Sequence, residues 1–188
     1  MERRVFLGFT LAGTAAWASW EWHGRKEEAA AEGRIPATVS IMEFDASGRS
    51  TGVVTVPAIR RTDTEWKKLL AVDQYMVTRR ADTEFAFTGE FWNSHEDGLY
   101  RCVCCDTALF DSHAKFSSGT GWPSFWEPIA KQNVIERSDR SFGIWRTEVR
   151  CARCRGHLGH LFEDGPRPTG LRYCINSVAL RFVTRNLT

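Results

Sequence analysis

Arg101–Phe110 reads RCVCCDTALF, and Cys151–Phe162 reads CARCRGHLGHLF. Each holds a Cys-x-x-Cys turn, formed by Cys102 and Cys105 in the first and by Cys151 and Cys154 in the second. Such a turn sets two thiolates on one side of a tight loop. Two of them close a tetrahedron around one zinc ion. Residues 106–150 separate the pairs, so the metal would staple two distant hairpins. A site closed by four cysteines is structural, and no catalysis is assigned to it. The stabilisation matters because a loop-rich β domain of this size buries a limited core.

Two other readings of these cysteines stay open. An exported protein permits disulfides, and six cysteines allow 15 pairings. Three of the six crowd into Cys102–Cys105, which suits a metal turn better than a bridge. A thioredoxin-like redox pair belongs with a βαβ pattern, which is missing here. Cys104 also neighbours Cys105, but only Cys102 leaves the two-residue gap.

Outward from these turns the chain reads as strands and turns. Candidate strands are Leu99–Cys102, Ala108–Phe110, Asn133–Arg137, Phe142–Val149, His157–Phe162 and Leu171–Phe182. Upstream, Val39–Phe44 and Gly52–Val56 flank the turn-forming Asp45-Ala46-Ser47-Gly48, which predicts a hairpin. Thr62 and Glu65 stand at capping-box spacing before a helical period through Trp66, Leu69 and Leu70, with a break near Asp73. The fold expected is mainly β, with antiparallel sheets and a short helical lead-in.

The chain has 188 residues, 43% apolar and 26% charged, which excludes a disordered or fibrous protein. With 25 basic and 23 acidic residues, it lacks the charge of a nucleic-acid binder, and no nucleic acid is expected as partner. Residues 1–20 read MERRVFLGFTLAGTAAWASW. Arg3-Arg4, an apolar run from Val5 to Ala18, and Ala16-Trp17-Ala18 lay out an export signal resembling the twin-arginine type. Residues 1–18 are thus the expected signal and 19–36 a polar linker. A hairpin extension over 37–60 and a main domain over 61–188 follow. The expected location is periplasmic. An uncleaved leader anchoring the chain in a membrane is the alternative.

The sixth cysteine lies in Leu171-Arg172-Tyr173-Cys174-Ile175-Asn176. On a strand, Arg172, Cys174 and Asn176 share one face. A core strand would surround a buried thiol with apolar neighbours, whereas Arg172 would favour the reactive thiolate. Upstream, His157-Leu158-Gly159-His160 carries two histidines at an odd spacing. A bulge at Gly159 would bring both to one side, as an acid/base pair or as metal ligands. The bland reading is one histidine in the core and one exposed. Phe116–Trp126 is glycine-rich and then aromatic, and a Trp122 indole presented there suits a methyl-sulfur group. Phe125 and Trp126 read as core.

Together RCVCCDTALF, GTGWPSF (119–125) and CARCRGHLGHLFEDGPRPTGLRYCINSVALRF (151–182) resemble the methionine-R-sulfoxide reductase family, MsrB. The resemblance runs from about Asp63 to Phe182. It implies two antiparallel sheets stapled by one structural zinc held by Cys102, Cys105, Cys151 and Cys154. It also implies Cys174 as nucleophile, surrounded by His157, His160, Arg172 and Asn176, with Trp122 and Phe162 against the substrate. The implied reaction is thiol-dependent reduction of methionine-R-sulfoxide, free or in oxidised proteins, through a Cys174 sulfenic acid. Many family members carry a resolving cysteine in the Gly-x-Gly-Trp turn, where this chain has Thr120. An external thioredoxin-like or small thiol is therefore the expected reductant, unless Cys104 substitutes. A monomer is expected. The competing class is a zinc β module that binds a ligand in an aromatic pocket without chemistry.

Overall fold

The computed structural model describes residues 36–140 and 145–186. The expected export signal and, apart from Pro36, the expected linker lie outside them. Among the described residues no helix is long and apolar enough to cross a membrane.

β1 (Thr38–Phe44) and β2 (Ser50–Pro57) form the expected antiparallel hairpin. Asp45 closes it, its carboxylate accepting from Ser47 N and Arg49 N. Two short helices follow, α1 (Asp63–Leu69) and α2 (Val72–Arg80). The Thr62–Glu65 capping box is present. The helical break falls at Leu70–Ala71, before Asp73, because both residues take extended backbone.

Nine further strands make two sheets. β3 (Gly98–Cys102), β4 (Ala108–Asp111) and β11 (Leu180–Thr184) pair in the order β11-β3-β4. The larger sheet uses β5 (Lys115–Phe116), β6 (Ser124–Phe125), β7 (Val134–Asp139), β8 (Arg146–Cys151), β9 (His157–Phe162) and β10 (Arg172–Ile175). Its order is β5-β6-β10-β9-β8-β7. The single strand expected over Leu171–Phe182 is in fact two. A 3₁₀ turn at Ser177–Ala179 breaks it, and the two halves serve different sheets.

The sheets meet through aromatic rings. Phe182, Tyr100 and Phe110 are cross-strand neighbours on the smaller sheet, and Phe125 pairs with Tyr173 on the larger. Phe110 stacks on Phe125 with centroids 4.4 Å apart, and Tyr100 meets Phe125 edge-on at 5.0 Å. Offset and edge contacts of this kind add about 0.5–1.5 kcal/mol each beyond burial. Phe125 is fully buried, as read from sequence, whereas Trp126 is only partly so.

The N-terminal hairpin is tied to this body by one buried side chain. Asn133, 0% exposed, donates to Met42 O and Ala108 O at 2.8 Å and accepts from Met42 N at 2.8 Å. Asn133→Ala leaves three backbone groups unpartnered, a loss on the order of 3 kcal/mol. The expected result is a melting temperature lower by roughly 5–10 °C in calorimetry.

Candidate active site and metal centre

The two knuckles have the same local build. Asp106 N donates to Cys102 O at 2.8 Å, and Arg155 N donates to Cys151 O at 2.9 Å. Asp106 and Arg155 hold matching left-handed conformations, φ 62° and 59°. They bring four sulfurs together, each within 4.8 Å of the others. Cys102 Sγ lies 3.6 Å from Cys154 Sγ, and Cys105 Sγ lies 3.5 Å from Cys151 Sγ. A disulfide needs about 2.05 Å, and tetrahedral thiolates at zinc stand about 3.8 Å apart. The four cysteines are therefore arranged to bind a metal, with spacings that fit zinc.

Arg79 on α2 faces this cluster. Its guanidinium donates to Cys154 Sγ at 3.2 Å and to Cys154 O at 2.8 Å, and it lies 4.0 Å over the Trp66 ring. Burial opposes its charge, but the Cys154 and Cys104 sulfurs outweigh burial and hold its pKa above the ordinary value. A cation here complements four thiolates around a divalent ion, which leave net negative charge.

The second site occupies the opposite face of the six-stranded sheet. Tyr173 on β10 points to the core, so Arg172 and Cys174 point away from it. On β9, His160 lies directly across from Cys174, and Phe162 directly across from Arg172. The pairing of β8 with β9 slips between Val149 and Arg150, which leaves Leu158 as an extra residue. This bulge turns fully buried Leu158 to the core and His157 to the same side as His160. Their rings are 5.3 Å apart. Next to the bulge, Gly159 lets β9 lie close on β10, since a Cβ there would sit 2.0 Å from Cys174 O.

Carboxylates from neighbouring strands orient both histidines. Glu148 Oε1 meets His157 Nδ1 at 2.7 Å, and Asp139 Oδ2 meets His160 Nε2 at 2.9 Å. Among the described residues, Nε2 of His157 has no hydrogen-bond partner. Burial opposes ionisation of Glu148, but the His157 contact and Arg150 overcome it and hold its pKa below the usual carboxylate value. For His160, burial, helped by Arg146 and His157, outweighs Asp139 and lowers the pKa. The imidazolium of His160 is thus a stronger acid than a free histidine.

Arg172 is held in a bidentate pair with Asp164, both contacts 2.8 Å, and stacks 4.3 Å from the Phe162 ring. Burial pushes the Cys174 pKa up, and this outweighs the downward pull of Arg172 and Thr120. Arg172 therefore acts in the expected direction without setting the sign. Asn176 follows the end of β10 in extended backbone. It stands at the start of the 3₁₀ turn without a side-chain cap bond, and its amide is used by backbone, donating to Leu158 O at 2.9 Å and accepting from Glu84 N at 3.0 Å. Trp122 is half-buried and donates from Nε1 to Glu84 O at 3.2 Å. Glu84 also accepts from Ser177 N and Val178 N at 2.7 and 3.0 Å. It ties the tryptophan turn to the end of β10.

The sequence reading missed Glu148, Asp139, Asp164 and Glu84. No local signal marked Glu148 or Asp139, because only the pairing of β7 with β8 and of β8 with β9 brings them to the histidines, and none marked Glu84.

Residues 70–184 match the SelR domain. Similar proteins include the peptide methionine sulfoxide reductase MsrB of Herminiimonas arsenicoxydans, 57% identical over 122 residues, which are 65% of this chain and 89% of that one. The MsrB of Thiobacillus denitrificans is 56% identical over 122 residues, 65% of this chain and 92% of its own. The chloroplastic peptide methionine sulfoxide reductase B1 of Oryza sativa is 60% identical over 121 residues, 64% of this chain and 56% of its own. A domain match spanning more than half of the sequence, together with relatives covered over about nine-tenths of their length, makes this chain a member of the MsrB family of peptide methionine sulfoxide reductases.

Proposed function

We infer that this protein is a peptide-methionine (R)-S-oxide reductase with Cys174 as its nucleophile. The observation that carries the reading is the register of β9 on β10. It sets the one cysteine sulfur on the sheet's outer face directly across from His160, with Arg172 beside it. The Cys174 thiolate attacks the sulfoxide sulfur while the His157–His160 pair protonates the oxygen. The oxygen leaves with the enzyme as a Cys174 sulfenic acid, and methionine departs as the thioether. One external thiol condenses with the sulfenic acid, releasing water. A second thiol cleaves the mixed disulfide and restores Cys174. The sulfoxide gains two electrons and the two thiols lose them as a disulfide. Trp122 and Phe162 are proposed as the walls against the substrate methyl group.

One zinc per chain at Cys102, Cys105, Cys151 and Cys154 is proposed as a structural ion. Cys104 is not in reach as a resolving thiol on this reading. Cys151 and Val149 sit on the core face of the larger sheet, and Cys104 packs against the same core cluster, beside Thr78 at 3.3 Å. The sheet stands between it and Cys174. The reductant is therefore an external thioredoxin-like protein or small thiol, and the enzyme a monomer. The Arg3-Arg4 leader supports a periplasmic location, which fractionation of cells making the full chain checks. The direct test of function is turnover of the two methionine sulfoxide epimers with dithiothreitol. Consumption of the R epimer alone is expected, and no consumption of it would end the reading.

A further inference from the structure

Thr120 occupies the position of a resolving thiol in many family members, and in this chain it lies in a row of hydroxyl groups. Its hydroxyl lies 3.9 Å from Cys174 Sγ and 2.8 Å from Ser118 Oγ. Ser118 Oγ lies 2.7 Å from Ser124 Oγ and accepts from Thr120 N at 3.4 Å. Ser124 Oγ donates to Trp122 O at 3.2 Å. Ser124 is fully buried and is the direct cross-strand neighbour of Cys174 on β6. Three hydroxyls therefore form a continuous file from a backbone carbonyl to the reactive sulfur.

The file has two complete arrangements of its protons. With Cys174 a thiol, S–H donates to Thr120, Thr120 to Ser118, Ser118 to Ser124 and Ser124 to Trp122 O. With Cys174 a thiolate, Ser124 donates to Ser118, Ser118 to Thr120 and Thr120 to the sulfur. Passing from the first to the second, Cys174 releases its S–H proton to solvent and the three hydroxyls rotate; no O–H bond breaks, and within the file only the contact to Trp122 O is given up. Chains of this kind strengthen each member, and a hydrogen bond to the charged form of a group favours that form.

We propose that Thr120, Ser118 and Ser124 are a reversible hydroxyl file that stabilises the Cys174 thiolate, with Thr120 as its terminal donor and Ser118 and Ser124 as positioning residues. The proposal rests on Cys174 being the nucleophile. It gives Thr120 a role that replaces resolution by a disulfide with support of the attacking anion. The charged and titratable groups facing the sulfur are Arg172 with its partner Asp164, and His160 with His157 beside it. None of them belongs to the file, so its loss is separable from theirs.

The test is the pH dependence of iodoacetamide labelling at Cys174 in the full-length protein, read on the Cys174 peptide by mass. In Thr120→Val, which keeps the shape and removes the hydroxyl, the titration midpoint should rise by about one pH unit. The labelling rate below the midpoint should fall about tenfold. Thr120→Ser should restore the parent curve. Ser118→Ala, which leaves Thr120 in place but cuts the file behind it, should move the midpoint partway. An unchanged midpoint in both Thr120→Val and Ser118→Ala overturns the proposal, as does a Thr120→Ser curve matching Thr120→Val. Labelling requires no turnover, so this outcome is distinct from a failure of the reductase reading. That failure would show instead as R-epimer reduction by Cys174→Ser.

Discussion

Cys174→Ser should abolish reduction of methionine-R-sulfoxide while leaving metal content and melting temperature near those of the parent protein. The loss expected is on the order of 10⁴-fold or more, below detection in an epimer-resolved assay with dithiothreitol. The chemistry sets the size. Sulfur can accept the departing oxygen as a sulfenic acid, whereas a serine oxygen would have to carry it as a peroxide. A serine hydroxyl is also not ionised at neutral pH. The structure sets the lack of collateral damage. Cys174 lies on the outer face of the sheet, is only partly buried, and is not one of the clustered sulfurs. The non-catalytic alternative, an aromatic pocket on a zinc scaffold, predicts that Cys174→Ser binds its ligand as before and changes no rate. Turnover within tenfold of the parent would remove Cys174 from the mechanism.

How much of this was readable beforehand depends on whether the information is local. The cysteine pairs were legible because a Cys-x-x-Cys turn carries its own geometry, and both knuckles repeat it down to a left-handed residue after the second cysteine. The two histidines were legible through Gly159, whose missing side chain lets β9 approach β10 closely. Arg172 beside Cys174 followed from the strand period. The partners of Asn176 did not, because the strand ends at Ile175 and the amide is spent on the backbone of Leu158 and Glu84. The residues that hold the site in place, Glu148, Asp139 and Glu84, come from segments 9, 21 and about ninety positions away from their partners. Only the sheet order β10-β9-β8-β7 brings the first two to the histidines, and sheet order is not written in any one stretch. The sign of the Cys174 shift was likewise hidden, since it is decided by burial, a property of the assembled fold.

The converse of the Cys174 result is expected at Cys151. Cys151→Ser should lose metal, from about one zinc per chain to nearly none, and with it the cooperative fold. Cys151 ends β8 of the larger sheet, fully buried, with its sulfur 3.5 Å from Cys105 Sγ in the knuckle that joins β3 to β4 of the smaller one. A metal here therefore fastens the two sheets together at one end of the aromatic core. Structural zinc contributes about 10–16 kcal/mol in isolated zinc-finger peptides, and a whole domain is stable by only about 5–15 kcal/mol. Without the ion, buried sulfurs at these distances either hold unpaired charge or take up protons, and neither state replaces the metal bonds. The melting temperature should fall by tens of degrees, or the protein should be recovered only as aggregate. Cys104→Ser is the discriminating control. Its sulfur is outside the group of four, so metal content by mass spectrometry and melting by calorimetry should match the parent. Treatment separates metal from disulfide in the same way. A reductant without chelator should leave the parent folded, whereas a strong zinc chelator should unfold it. Unfolding by reductant alone, or metal kept by Cys151→Ser and lost by Cys104→Ser, would show that the four sulfurs are not the staple.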